Sequence, residues 1–185
     1  MPDSATSDEA LVQAAGKGDL EAFEEVVRRH QTWAWRIAYR FLGDEAEAAD
    51  LVQESFLRLL DASSRYHPTA RFRTYFYRII TRLCLDFAKK KKPLYVNTVP
   101  ETPDTSLAAG EAMMRTESAS AVGIALDNLP PNQRIAIIYR YFDDMNYEGI
   151  AEALGTSAKA VERLLARGRE RLRNILGTRN DLFHF

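Results

Sequence analysis

Residues 146–173 read NYEGIAEALGTSAKAVERLLARGRERLR, and their small and apolar positions fall where a helix-turn-helix needs them. Ala151 lets a second helix approach the first, and Gly155, four residues on, sits where the chain must turn through positive φ. Val161 follows six residues later and faces inward, with Ile150, Leu154 and Leu164 completing an apolar wedge. Lys159, Glu162, Arg163, Ala166 and Arg167 then share the opposite face of the second helix, at steps of three and four. A two-helix hairpin with a solvated basic face would share this spacing. Charge tips the reading toward DNA, because residues 157–173 carry six basic side chains against Glu162 and Glu170 alone. Such a face suits phosphates and the major groove.

Working outward, the 185 residues are 46% hydrophobic and 28% charged, a composition expected of a globular chain of one large or two small domains. No apolar run approaches a membrane span, and the opening MPDSATSDEA has neither the basic cluster nor the apolar centre of a leader, so a cytoplasmic protein without membrane insertion is expected. Cys84 is the single cysteine and lies in an apolar helical stretch, which favours a buried structural thiol. His30, His67 and His184 are scattered, so neither metal nor cofactor is expected, and no convergent set of catalytic side chains suggests an enzyme. The net charge of -1 conceals strong segregation: residues 1–60 hold six basic and twelve acidic side chains, residues 61–100 nine and two. One surface is built for anions and another for a different partner.

Helical periodicity runs from about Glu9 to Leu42, interrupted near Gly16 to Gly18, with Asp19 placed to cap the second part and Gly43 to end it. Asp44 and Glu47 open a further helix through Leu51, Val52, Phe56 and Leu60. A loop with Pro68 follows, then a long helix from about Phe72 to Lys92, stopped by Pro93. Residues 93–118 lose apolar periodicity and read as an acidic linker; periodicity resumes near Ala119, and Pro130 and Pro131 introduce another helix to Phe142 before the helix-turn-helix. The pattern predicts an all-α fold of two small helical domains, 1–92 and 119–177, joined by a linker at 93–118 and followed by a tail at 178–185.

The stretch 65–92, RYHPTARFRTYFYRIITRLCLDFAKKKK, predicts a helix whose inward stripe is Phe72, Phe76, Ile79 or Ile80, Leu83 and Phe87. Rotated away lie Arg71, Tyr75, Arg78, Arg82 and Lys89, at steps of three, four or seven, with Tyr66 and His67 in the loop before them and Arg73 as a further cation. Cations interleaved with aromatics suit an unstacked single strand, in which phosphates meet guanidinium groups and bases meet rings. Lys89 to Lys92 fit this face and equally fit a solvated helix end. In residues 45–60, EAEAADLVQESFLRLL, an acidic face of Glu47, Asp50 and Glu54 backs an apolar one.

Taken together, these motifs resemble the extracytoplasmic-function branch of bacterial sigma factors, the small promoter-specificity subunits of RNA polymerase. AFEEVVRRH at 22–30 looks like the opening of their conserved region 2, ADLVQESFLRLL at 49–60 like the core-binding helix, and FRTYFYRIITRLCLDFAKK at 72–90 like the part that melts and reads the upstream edge of the bubble. LPPNQRIAIIYRYFDDMNYEGIAEALGTSAKAVERLLARGRERLR at 129–173 is similar to region 4. The resemblance implies that Asp50, Leu51, Val52, Gln53 and Glu54 bind core RNA polymerase. It further implies that Tyr66, His67, Arg71, Arg73, Tyr75, Arg78 and Arg82 meet the minus-ten element of promoter DNA. Lys159, Glu162, Arg163 and Arg167 would then meet the minus-thirty-five element. An anti-sigma factor is a further partner that such proteins commonly have. Two departures from the family pattern stand out: Tyr75 and Phe76 replace a more usual Trp-Leu, and Glu162 stands where relatives often carry a base. A carboxylate there either accepts from a cytosine amino group or repels phosphate and pairs with a neighbouring arginine.

Reach is consistent with this assignment. Elements two helical turns apart lie roughly 70 Å apart at about 34–36 Å per turn, and residues 93–118 extend to about 85 Å at roughly 3.3 Å each. The rival reading, a helix-turn-helix regulator that works without polymerase, explains residues 146–173 and leaves the basic aromatic helix without a purpose.

Overall fold

The computed structural model describes residues 6–68, 71–90 and 121–177, and throughout these the regular structure is helical. The linker expected at 93–118 and the tail at 178–185 lie outside the described residues. The first four helices are α1 (Asp8–Ala15), α2 (Leu20–Leu42), α3 (Glu45–Ser63) and α4 (Phe72–Lys90). A helix whose described part spans 121–127 is α5, and α6 (Pro131–Phe142), α7 (Tyr147–Leu154) and α8 (Ala158–Leu176) follow.

Local chemistry fixes most boundaries. Asp19 and Asp44 accept from the backbone N–H groups of Ala22 and Glu47 at 3.0 and 2.9 Å, starting α2 and α3. Gly43 closes α2 at φ +75°, in the left-handed region where a Cβ would strain the chain. The start of α4 is different. Its first N–H, on Phe72, donates to the carboxylate of Glu9 in α1 at 2.7 Å, a cap supplied from 63 residues away. That bond holds the carboxyl of Glu9 below the ordinary carboxylate range.

Helices α2, α3 and α4 bury Val26, Ile37, Phe41, Phe56, Leu59, Phe72, Phe76 and Ile80. Of the two isoleucines left open by the sequence, Ile80 is buried and Ile79 only half-buried. Rings run through this core in edge and tilted contacts, Phe23 to Phe56 to Phe76 to Trp33, and continue from Trp33 to Tyr77 and on to Tyr139 of α6 at centroid distances of 4.7 and 4.9 Å. The apolar cluster is therefore continuous from the first helix group into the second, where Ile135, Ile137, Ile138, Ile150, Val161, Leu165 and Leu172 fill the centre.

Candidate polymerase and nucleic-acid surfaces

The helix-turn-helix forms as its spacing predicts. Asn146 caps α7 through the N–H of Gly149 at 2.9 Å, Gly155 turns the chain at φ +63°, and Ser157 caps α8 through Ala160 at 3.2 Å. Val161, Leu165 and Leu172 are buried, which rotates Lys159, Glu162, Arg163 and Arg167 to the exposed face together with Ala166, Glu170 and Arg171. Gly168, which the motif reading passed over, lets α8 lie against α6: a Cβ there would stand 3.0 Å from Cγ1 of Ile137.

On the first helix group, α2 and α3 enclose an apolar groove of about 660 Å³ lined by Phe23, Val27, Trp35, Val52, Phe56 and Leu57, with Gln31 and Gln53 at its polar edge. Leu57 is 50% exposed, a large apolar side chain left without cover. The five consecutive residues expected to bind polymerase divide here, because a helix turns its side chains through 100° at each step. Val52 and Gln53 reach the groove, Asp50 is exposed, and Glu54 is half-buried and accepts from Arg58 at 2.8 Å. Leu51 is 6% exposed and packs into the core of its own bundle, so in this conformation it shapes the helix and offers little surface to a partner.

On α4, Arg73, Arg78 and Arg82 are exposed, as are His67 and Arg71 in the preceding segment, and Tyr75 is half-buried. Arg73 lies over the ring of Trp33 at 4.7 Å, so its cation is pre-positioned by an aromatic face. Tyr66 departs from expectation. Its ring is buried against Tyr75 at 5.2 Å, its hydroxyl meets no partner among the described residues, and burial pushes its phenol up. In this conformation Tyr66 supports Tyr75 and offers no free face to a base. Cys84 is buried as expected, but sequence reasoning missed Tyr77 and Thr81 on the same flank of α4, which are buried and bonded to Asp143 and Tyr139 at the C-terminal end of α6.

A family model described as sigma-70 region 2 matches residues 26–93, and one described as sigma-70, region 4 matches residues 121–172. The chain is 30% identical over 176 residues to the ECF RNA polymerase sigma factor SigW of Bacillus subtilis, covering 89% of this chain and 94% of that protein. It belongs to the extracytoplasmic-function sigma factors. The ECF RNA polymerase sigma factor SigE of Mycolicibacterium smegmatis is 31% identical over 172 residues, which cover 90% of this sigma factor and 66% of SigE. The solved structure of CnrH in complex with the cytosolic domain of CnrY matches this sigma factor with a TM-score of 0.71 at 25% identity, over 94% of this chain and 99% of that one. No helix among the described residues is long and apolar enough to cross a membrane.

Proposed function

We propose that this sigma factor divides its work between residues 1–92, which hold core polymerase and open DNA, and residues 119–177, which anchor the upstream promoter element. The observation that carries this reading is the presence, on separate surfaces of one chain, of an apolar groove with Gln31 and Gln53 at its polar edge and two exposed basic helix faces. The groove between α2 and α3 is shaped for an amphipathic helix, with Leu57 and Val52 as anchors and Gln53 at its polar edge, and the exposed Asp50 and half-buried Glu54 stand on the same helix, α3. Arg71, Arg73, Arg78 and Arg82 follow the backbone of a parted strand while Tyr75 takes a base, at about 1–3 kcal/mol per stacked base. Lys159, Glu162, Arg163 and Arg167 enter the major groove upstream. Nothing in this mechanism needs covalent chemistry. Its elements are recruitment, register and the unstacking of bases, whose cost of a few kcal/mol is offset by the contacts that follow.

Transcription reconstituted with purified core polymerase tests the division. Asp50→Arg with Glu54→Arg is expected to abolish core binding. Arg163→Ala with Arg167→Ala is expected to leave core binding intact and to weaken promoter use, each lost base-edge contact costing about 1–3 kcal/mol. Equal loss of both activities in both variants would contradict the division.

A further inference from the structure

Resting on that reading, we infer that α1 is a strut that sets the segment between α3 and α4 for the parted strand, and that Glu9 and Gly16, near its two ends, are positioning residues for promoter opening. The segment leaves α3 after Ser63 and enters α4 at Phe72, and α1 holds both of these points. At the exit, Oε1 of Glu9 accepts from the Phe72 N–H at 2.7 Å. At the entry, Gly16 lies against the backbone carbonyl of Ser63, so closely that any Cβ on it would overlap that group. The same carbonyl accepts from the N–H of Tyr66 at 3.1 Å, which makes it the first fixed point of the turn that carries Tyr66 and His67. Glu9 and Gly16 are seven residues apart, about 10 Å along a helix at roughly 1.5 Å per residue, so α1 spaces the two points rigidly.

The strut is itself braced. Leu11, Val12 and Ala15 are buried. The carboxylate of Asp8 pairs with Nη1 of Arg29 at 3.0 Å and with Nε2 of His30 at 2.8 Å, both on α2, and Arg29 also donates to the Thr6 carbonyl at 2.8 Å. The His30 ring lies 4.7 Å from that of Phe72, so the brace returns to the residue that Glu9 caps. Tyr66 is placed from the same side: its hydroxyl is within electrostatic reach of Glu9 and Asp8, and its ring packs on Tyr75 in the first turn of α4. Tyr66, His67, Arg71 and Tyr75 are thus set by contacts that α1 supplies. A segment fixed at both ends presents its side chains without the ordering cost that a free loop meets on binding. Neither Glu9 nor Gly16 lines the groove between α2 and α3 or belongs to α8, so neither stands on the surfaces proposed for polymerase and the upstream element.

Holoenzyme assembled from purified core polymerase and the full chain, as wild type, Glu9→Ala, Glu9→Gln or Gly16→Ala, tests the strut on a promoter that the wild type opens and on copies with single base changes in the minus-ten element. Opening is followed by permanganate reactivity of unpaired thymines, core affinity by fluorescence anisotropy and folding by circular dichroism, at a temperature below the melting of every variant. Glu9→Ala is expected to open the promoter about tenfold more slowly and to discriminate less between intact and altered minus-ten elements, with core affinity within about twofold of wild type. Loss of stability alone would not change that discrimination. Glu9→Gln keeps a neutral acceptor for the Phe72 N–H and is expected to recover most of both properties. Gly16→Ala displaces the strut from its other end, is expected to shift opening and discrimination in the same direction, and serves as the second variant should Glu9→Ala fail to fold. Wild-type opening and discrimination in both alanine variants would overturn the strut and leave the sigma reading standing, as would opening that falls only in step with core affinity. A wild type that opens no promoter would sink the sigma reading and the strut with it.

Discussion

At the scale of single residues, acidic side chains act here mainly by capping and tethering. Glu9 ties the shortest N-terminal helix to the start of the helix proposed to melt DNA, accepting from Phe72 where a helix end otherwise lacks a partner. Glu9→Ala is expected to cost about 1–2 kcal/mol in urea unfolding at pH 7. Because the folded carboxyl titrates below its ordinary 4.5, the contribution is complete above that pH and is lost as pH falls through the lowered value. Glu25 follows the same sign. Bonds from Arg28 and Arg29 hold it down to about 2, so the stability gap between wild type and Glu25→Gln should persist at neutral pH and close between about 4.5 and 2. Tyr66 allows the opposite kind of test, since its buried hydroxyl has no partner among the described residues. Tyr66→Phe is expected to leave stability unchanged or raise it by about 1 kcal/mol. A loss of promoter opening with stability intact would instead show that the hydroxyl serves DNA after a rearrangement.

Elements are positioned by glycines and caps whose importance appears only where two helices meet. Gly16 ends α1 with its Cα against the backbone carbonyl of Ser63, a group that cannot swing aside, whereas Gly168 faces the flexible end of Ile137. Gly16→Ala is therefore expected to destabilise by about 1–3 kcal/mol and Gly168→Ala by less, as thermal unfolding of the two variants would show. Ser157→Ala removes the cap of α8 and should cost about 1 kcal/mol. That loss should also weaken upstream DNA binding, because the capped first turns carry Lys159, Glu162 and Arg163. Leu51 shows the same principle in reverse. A run of five consecutive helical residues cannot all face one partner, and the geometry of α3 assigns Leu51 to the interior.

For the whole molecule, charge segregation matters more than net charge. A total of -1 is compatible with DNA binding because basic side chains are concentrated on α4 and α8 while acidic ones are concentrated in residues 1–60. Promoter affinity of the polymerase complex should fall steeply with salt, and Arg171→Ala, at an exposed position on α8, is expected to reduce the log–log slope by about 1 without altering base preference. A shifted base preference would move Arg171 from backbone positioning to direct reading.

The sequence by itself determined the helices, the boundaries at Asp19, Gly43 and Asp44, the helix-turn-helix and the family, because each depends on spacings within some twenty residues, where a 3.6-residue period and a glycine or aspartate at a boundary carry the information. It also located the basic and acidic faces, since charge is written in composition. Only the tertiary structure decided which side of α4 is free. The buried Tyr77 and Thr81 differ in nothing local from exposed neighbours, and their cover comes from Asp143 and Tyr139, some sixty residues away. The cap from Glu9 and the orphaned hydroxyl of Tyr66 escaped for the same reason: contacts between distant segments follow from how surfaces pack, which no short window of sequence contains.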